Sequence, residues 1–87
     1  MEIEKYLLQK GLNPAFKGFD YIVEAINLFN KDRKYKNNVT KELYPTIAKT
    51  FSDTPSKVER AIRHCIQSAG FKIPNSEFIA TAQIETK

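Results

Sequence analysis

The alternation of apolar and polar positions divides the chain into five segments with helical periodicity. Near the start, Ile3, Tyr6 and Leu7 lie three and four residues apart, on one helix face. Gly11 ends that segment, and Leu12 is the apolar residue that packs back on such a cap. Asn13-Pro14 marks a turn and a candidate new cap. Phe19, Ile22, Val23, Ile26 and Phe29 then follow the i, i+3, i+4, i+7 rule of a core-facing helix, which predicts a helix over about 17–31. The stretch NKDRKYKNN, 30–38, has no apolar periodicity and reads as a fraying helix end followed by a basic loop. A third helix is predicted over 40–51, with Thr40 as cap and Leu43, Ile47, Ala48 and Phe51 as its apolar stripe. Pro45 falls slightly later than the comfortable first position, so the first turn of that helix is expected to be distorted.

The fourth segment, 55–69, has two sharply different sides. At about 100° per residue, Val58, Ala61, Ile62, Cys65, Ile66 and Ala69 share one arc, while Ser56, Lys57, Arg60, Arg63, His64 and Gln67 share the opposite one. Thr54 caps the start, Pro55 suits the first helical position, and Gly70 supplies the stop. FKIP, 71–74, reads as an extended link. Ser76 is a candidate cap for a last helix holding Phe78, Ile79, Ala82 and, at its end, Ile84. Five helices and no strand predict an all-α compact bundle, formed by the whole of 1–87 as a single domain. Within it, 40–51 and 55–69 are apolar-faced helices joined by three polar residues, Ser52-Asp53-Thr54. They must cross sharply, with Ala48 and Val58 at the crossing, and this is the helix-turn-helix arrangement, although the usual turn glycine is absent. In that arrangement the second helix sets its N-terminal polar face in the DNA major groove.

Charge sharpens this reading. The net charge is +4, but residues 31–64 hold nine Lys or Arg against four acids, while 1–30 hold three against four. A field so localised suits a polyanion, and equally a solvated face. The single cysteine excludes an intramolecular disulfide and fits a reducing cytosol. No stretch has the length of a signal peptide's apolar run or of a membrane span, so a cytoplasmic protein is expected. An enzyme is not. The one His and one Cys are adjacent, so on a helix they diverge by about 100°. There is no Gly-rich phosphate loop and no metal-ligand cluster, hence no expected cofactor or metal.

The motifs TKELYPTIAKTF, PSKVERAIRH and PNSEFIA resemble the DNA-binding effector domain of the sporulation master regulator, stage-zero sporulation protein A, and KGFDYIVEAI is similar to that family's second helix. The resemblance runs from about Gly11 to Ala80. It implies a bacterial, all-helical, sequence-specific transcription regulator that recognises short promoter boxes in double-stranded DNA, with copies pairing head to tail or as a homodimer. The family joins this domain to a phosphoacceptor receiver domain, which these 87 residues do not include, so the chain reads as a fragment or a free-standing relative. The family also carries a longer stretch, with an additional helix, where this chain has only 67–74.

The resemblance and the helix geometry together assign roles. Lys57 and Arg60 are expected at base edges, Arg60 on guanine because its fork is bidentate. Glu59 either accepts from cytosine N4 or orients Arg63 one turn on. Arg63 and His64, farther along the helix, are expected at phosphates, with a structural hydrogen bond as the other role for His64. Thr54 and Ser56 can meet a phosphate at the helix start as well as cap it. Thr40, Lys41 and Tyr44 are expected to contact the DNA backbone from the first helix. Lys31, Arg33, Lys34 and Lys36 would add non-specific attraction, or simply be solvated. The alternative function is a protein-interaction module that pairs with a full-length regulator; RNA binding ranks third, for want of an aromatic stacking platform.

Overall fold

The computed structural model describes residues 2–87; the first residue of the expected 1–87 unit lies outside them. Among the described residues there are six α-helices and one π-helical turn, and no strand. The helices are α1 Glu2–Gln9, α2 Lys17–Lys31, α3 Arg33–Asn37, α4 Tyr44–Phe51, α5 Pro55–Ser68 and α6 Asn75–Glu85; the π turn, Val39–Leu43, leads directly into α4. The all-α bundle expected from the periodicity is the fold observed.

The axis of the bundle is α2, which packs most extensively on α5 and then on α6. Its inward stripe, Ile22, Ala25 and Ile26, is completely buried, as are Leu7, Leu43, Ile47, Val58, Ile62, Ile66 and Ile79 from the surrounding helices. Each of the Leu, Ile and Val side chains contributes roughly 1.5–3 kcal/mol relative to exposure, which is what holds helices this short in place. The α2–α5 crossing is closer than side chains would allow. A Cβ on Gly18 would run into the backbone carbonyl of Ala61 and lie 2.7 Å from Cys65 Cβ. Glycine is therefore required there for the approach of two backbones.

Three departures from the periodicity have local causes. Residues 33–37, expected as loop, form α3 because the Asp32 carboxylate accepts from the Lys34 N–H at 2.9 Å and caps the turn. A five-residue helix is too short to show a stripe, and so the number of helices is six rather than five. Thr40 does not cap the helix-turn-helix. The Asn38 carbonyl accepts from both Glu42 N–H (2.8 Å) and Leu43 N–H (3.2 Å), so the backbone closes the turn itself. The distortion expected at Pro45 is this π turn; the widened coil accommodates a residue that cannot donate and whose ring would otherwise press on the carbonyl four residues back. Nor does Ser76 cap α6, which starts one residue earlier, at Asn75, behind the extended Pro74. Ile84 lies within α6 but is 61% exposed, outside the core.

Candidate nucleic-acid interface

The turn between α4 and α5 fixes the placement of α5. Ala48 and Val58 are both buried at this crossing. Ser52 takes the left-handed conformation (φ 55°, ψ 49°) that glycine usually supplies, and Asp53 N–H closes back on the Ala48 carbonyl at 2.8 Å. Asp53 is then held twice: Oδ2 accepts from the Tyr21 hydroxyl of α2 at 2.6 Å, and Oδ1 accepts from Thr54 N–H at 2.9 Å. The Tyr21 hydroxyl holds the Asp53 carboxyl below its ordinary pKa, helped by the Thr54 N–H and by Lys17 and Lys57 nearby. The same bond acts on Tyr21, whose hydroxyl is pushed up to about 12, first by burial and then by Asp53. Thr54 Oγ1 accepts from Lys57 N–H at 3.3 Å as the cap, which leaves its own hydrogen free to be donated.

From this start α5 buries Val58, Ile62, Cys65 and Ile66. Burial pushes the Cys65 thiol above its ordinary pKa, as expected for a packing residue. On the outer side Ser56, Lys57, Arg60, Arg63 and His64 are exposed. Arg60, three residues from Arg63 and diametrically opposite the buried stripe, is central on that side. Thr40, Lys41 and Thr54 are exposed as well.

Three of the expected contact residues also carry contacts within the protein. Tyr44 is core: it is 7% exposed, and its hydroxyl oxygen accepts from Asn75 Nδ2 at 3.1 Å. Burial raises its hydroxyl above the ordinary pKa, with the Asn75 N–H working the other way. Its ring forms part of the apolar stripe of the helix-turn-helix, and Tyr44 also lines the groove beside α5. Glu59 turns off the outer side. Its Oε2 lies 3.6 Å from the Arg63 guanidinium and 3.4 Å from Asn75 Nδ2, which also donates to the Glu59 carbonyl at 3.2 Å. Of the two roles considered for Glu59, the geometry matches the orientation of Arg63; a half-exposed pair of this kind adds only a few tenths of a kcal/mol to stability. His64 packs its ring on Phe16 (centroids 5.1 Å apart, planes at 44°), on the opposite flank of α5 from Glu59.

Asn75 is the residue that the sequence did not single out. It is 8% exposed and links α6 to both helices of the helix-turn-helix. Its partners lie 16 and 31 residues away, and no local pattern announces them. Beside α5 lies a groove of about 1060 Å³, lined by Thr40 and Tyr44, by Glu59, Arg63 and Gln67 of α5, and by 72–76. Among the described residues no His, Cys, Asp or Glu group has the arrangement of a metal site, and no helix is long and apolar enough to cross a membrane.

The sequence was also compared with models of known families. The model described as "Sporulation initiation factor Spo0A C terminal" matches residues 3–73, a span from α1 through the helix-turn-helix to the link ahead of α6. That match covers most of the 87 residues, and the chain accordingly belongs to the family of sporulation initiation factor Spo0A C-terminal domains.

Proposed function

We propose that the chain is a sequence-specific double-stranded DNA-binding transcription regulator of the sporulation effector type, acting through 1–87 as one unit, with α5 in the major groove. The observation that carries this reading is the division of α5. Its buried stripe is fixed against α2, and Arg60 stands opposite that stripe with Ser56, Lys57 and Arg63 around it. A helix held this way is presented to a groove as a rigid body, without the entropy loss that a mobile basic segment would incur. Arg60 and Lys57 are the base-reading candidates. Arg63, His64, Thr54, Ser56, Thr40 and Lys41 are the phosphate-contact candidates, and Glu59 is the candidate that orients Arg63. Family membership supports the same reading.

The test is a titration of the pure protein against a labelled duplex carrying a family promoter box and against a scrambled duplex. The expected result is a preference for the box of roughly 10³-fold or more. Equal affinity for both would refute sequence-specific binding. A second reading, contact with another protein, draws on Leu8 and Ile84, apolar side chains 50% and 61% exposed on the contacting helices α1 and α6. Pairing of copies on DNA would use such a surface. Its signature is a cooperative isotherm on a duplex with two boxes that becomes non-cooperative in Ile84→Lys.

A further inference from the structure

The groove beside α5 collects cations from three separate elements. Lys36 comes from α3, Arg63 from α5 and Lys72 from the link that follows α5. The one acid lining it, Glu59, is engaged by Arg63 and Asn75. Lys72 carries no role in the reading above. The end of α5 is locked by Gly70 at φ 92°, with Gly70 N–H donating to the Gln67 carbonyl (2.9 Å) and Phe71 N–H to the Ile66 carbonyl (3.3 Å). Phe71 and Ile73 turn inward and pack on the core, Phe71 edge-on to Phe78 at 5.2 Å. Lys72, between them, is exposed and borders the groove.

The geometry points to this groove as the seat of one DNA strand's sugar-phosphate backbone, with Lys72 and Lys36 as phosphate contacts that extend the interface beyond the helix-turn-helix. The inference rests on α5 entering the major groove, because the backbone that borders a major groove must then run alongside α5. On this side of the helix lies an open groove bordered by Lys36, Arg63 and Lys72. Thr40 lines the same groove, and a second hollow lined by Thr40, Ser56 and Glu59 continues it toward the start of α5.

The experiment is a salt series from 50 to 200 mM on box and scrambled duplexes, with wild type, Lys72→Ala, Lys72→Arg and, as a control on α1, Lys5→Ala. Each phosphate neutralised contributes about 0.9 to the log–log slope, or about a 3.5-fold loss of affinity over that fourfold change in salt. Lys72→Ala should lower the slope by about 0.9 on both duplexes and leave the box-to-scramble ratio as it is. Lys72→Arg should restore the slope, and Lys5→Ala should match wild type. A Lys72→Ala slope equal to that of wild type, in a wild type that does discriminate, overturns the backbone seat alone. A loss confined to the box also overturns it, since a phosphate contact carries no sequence preference. Absence of duplex binding by wild type overturns the major-groove reading, and this inference with it.

Discussion

Tyr21 shows how one side chain ties the candidate interface to the core. Its ring is buried on α2, edge-on to Phe51 of α4 at 5.0 Å, while its hydroxyl reaches Asp53 in the turn ahead of α5. The folded hydroxyl ionises at about 12 rather than 10.0. A raised pKa means that the neutral form is favoured by folding. The stabilisation is therefore complete below pH 10 and is lost as pH climbs through about 12. Urea unfolding between pH 8 and 12 should show stability falling above pH 10 in wild type, and a shallower fall in Tyr21→Phe. Asp53 works in the opposite sense: its lowered pKa makes a contribution that is present above the ordinary carboxylate range and lost as pH falls below it. Neither partner announces this bond in the sequence. Tyr21 lies outside the Phe19, Ile22, Ile26 stripe from which the core of α2 was read, and Asp53 looks like any polar turn residue. Tyr44 was no more legible: a hydroxyl on an aromatic ring suits a surface or a core, and its partner Asn75 lies 31 residues away.

At the scale of elements, the long amphipathic helices were legible and the close approaches were not. The bounds of α2 followed from its stripe, and those of α5 from Thr54, Pro55 and Gly70. What periodicity cannot register is an absent side chain: Gly18 looks like a weak helix residue, yet it sets the separation of α2 and α5. Gly18→Ala would gain about 1 kcal/mol of helix propensity but force a methyl against a backbone carbonyl that cannot rotate away. A net loss of about 2 kcal/mol is expected, seen as a fall in Tm of roughly 10 °C. The α4–α5 turn allows a companion test. Ser52 holds a left-handed conformation that a β-branched residue resists, so Ser52→Val should be about 1–2 kcal/mol less stable than Ser52→Gly in urea. Similar stabilities would mean that the turn relaxes to another conformation. The helix α3 belongs to the same lesson: a five-residue helix capped by Asp32 leaves no stripe to read, only the cap.

For the molecule as a whole, the charge distribution and the fold agree. The middle third carries the excess of basic residues, and the fold brings part of it, Lys36, Arg60 and Arg63, to the outer side of α5 and the groove next to it. The proposed function depends on α5 reading base edges through Arg60. The most direct measurement is selection of bound duplexes from a random-sequence pool by wild type and by Arg60→Ala, after thermal melts have shown that both are equally folded. Wild type should enrich one short motif. Arg60→Ala should enrich the same motif with the preference flattened at a single G·C pair, at a cost of roughly 1–3 kcal/mol on the wild-type site. A pool without any enriched motif, or a motif that Arg60→Ala leaves unchanged at every position, would contradict the account.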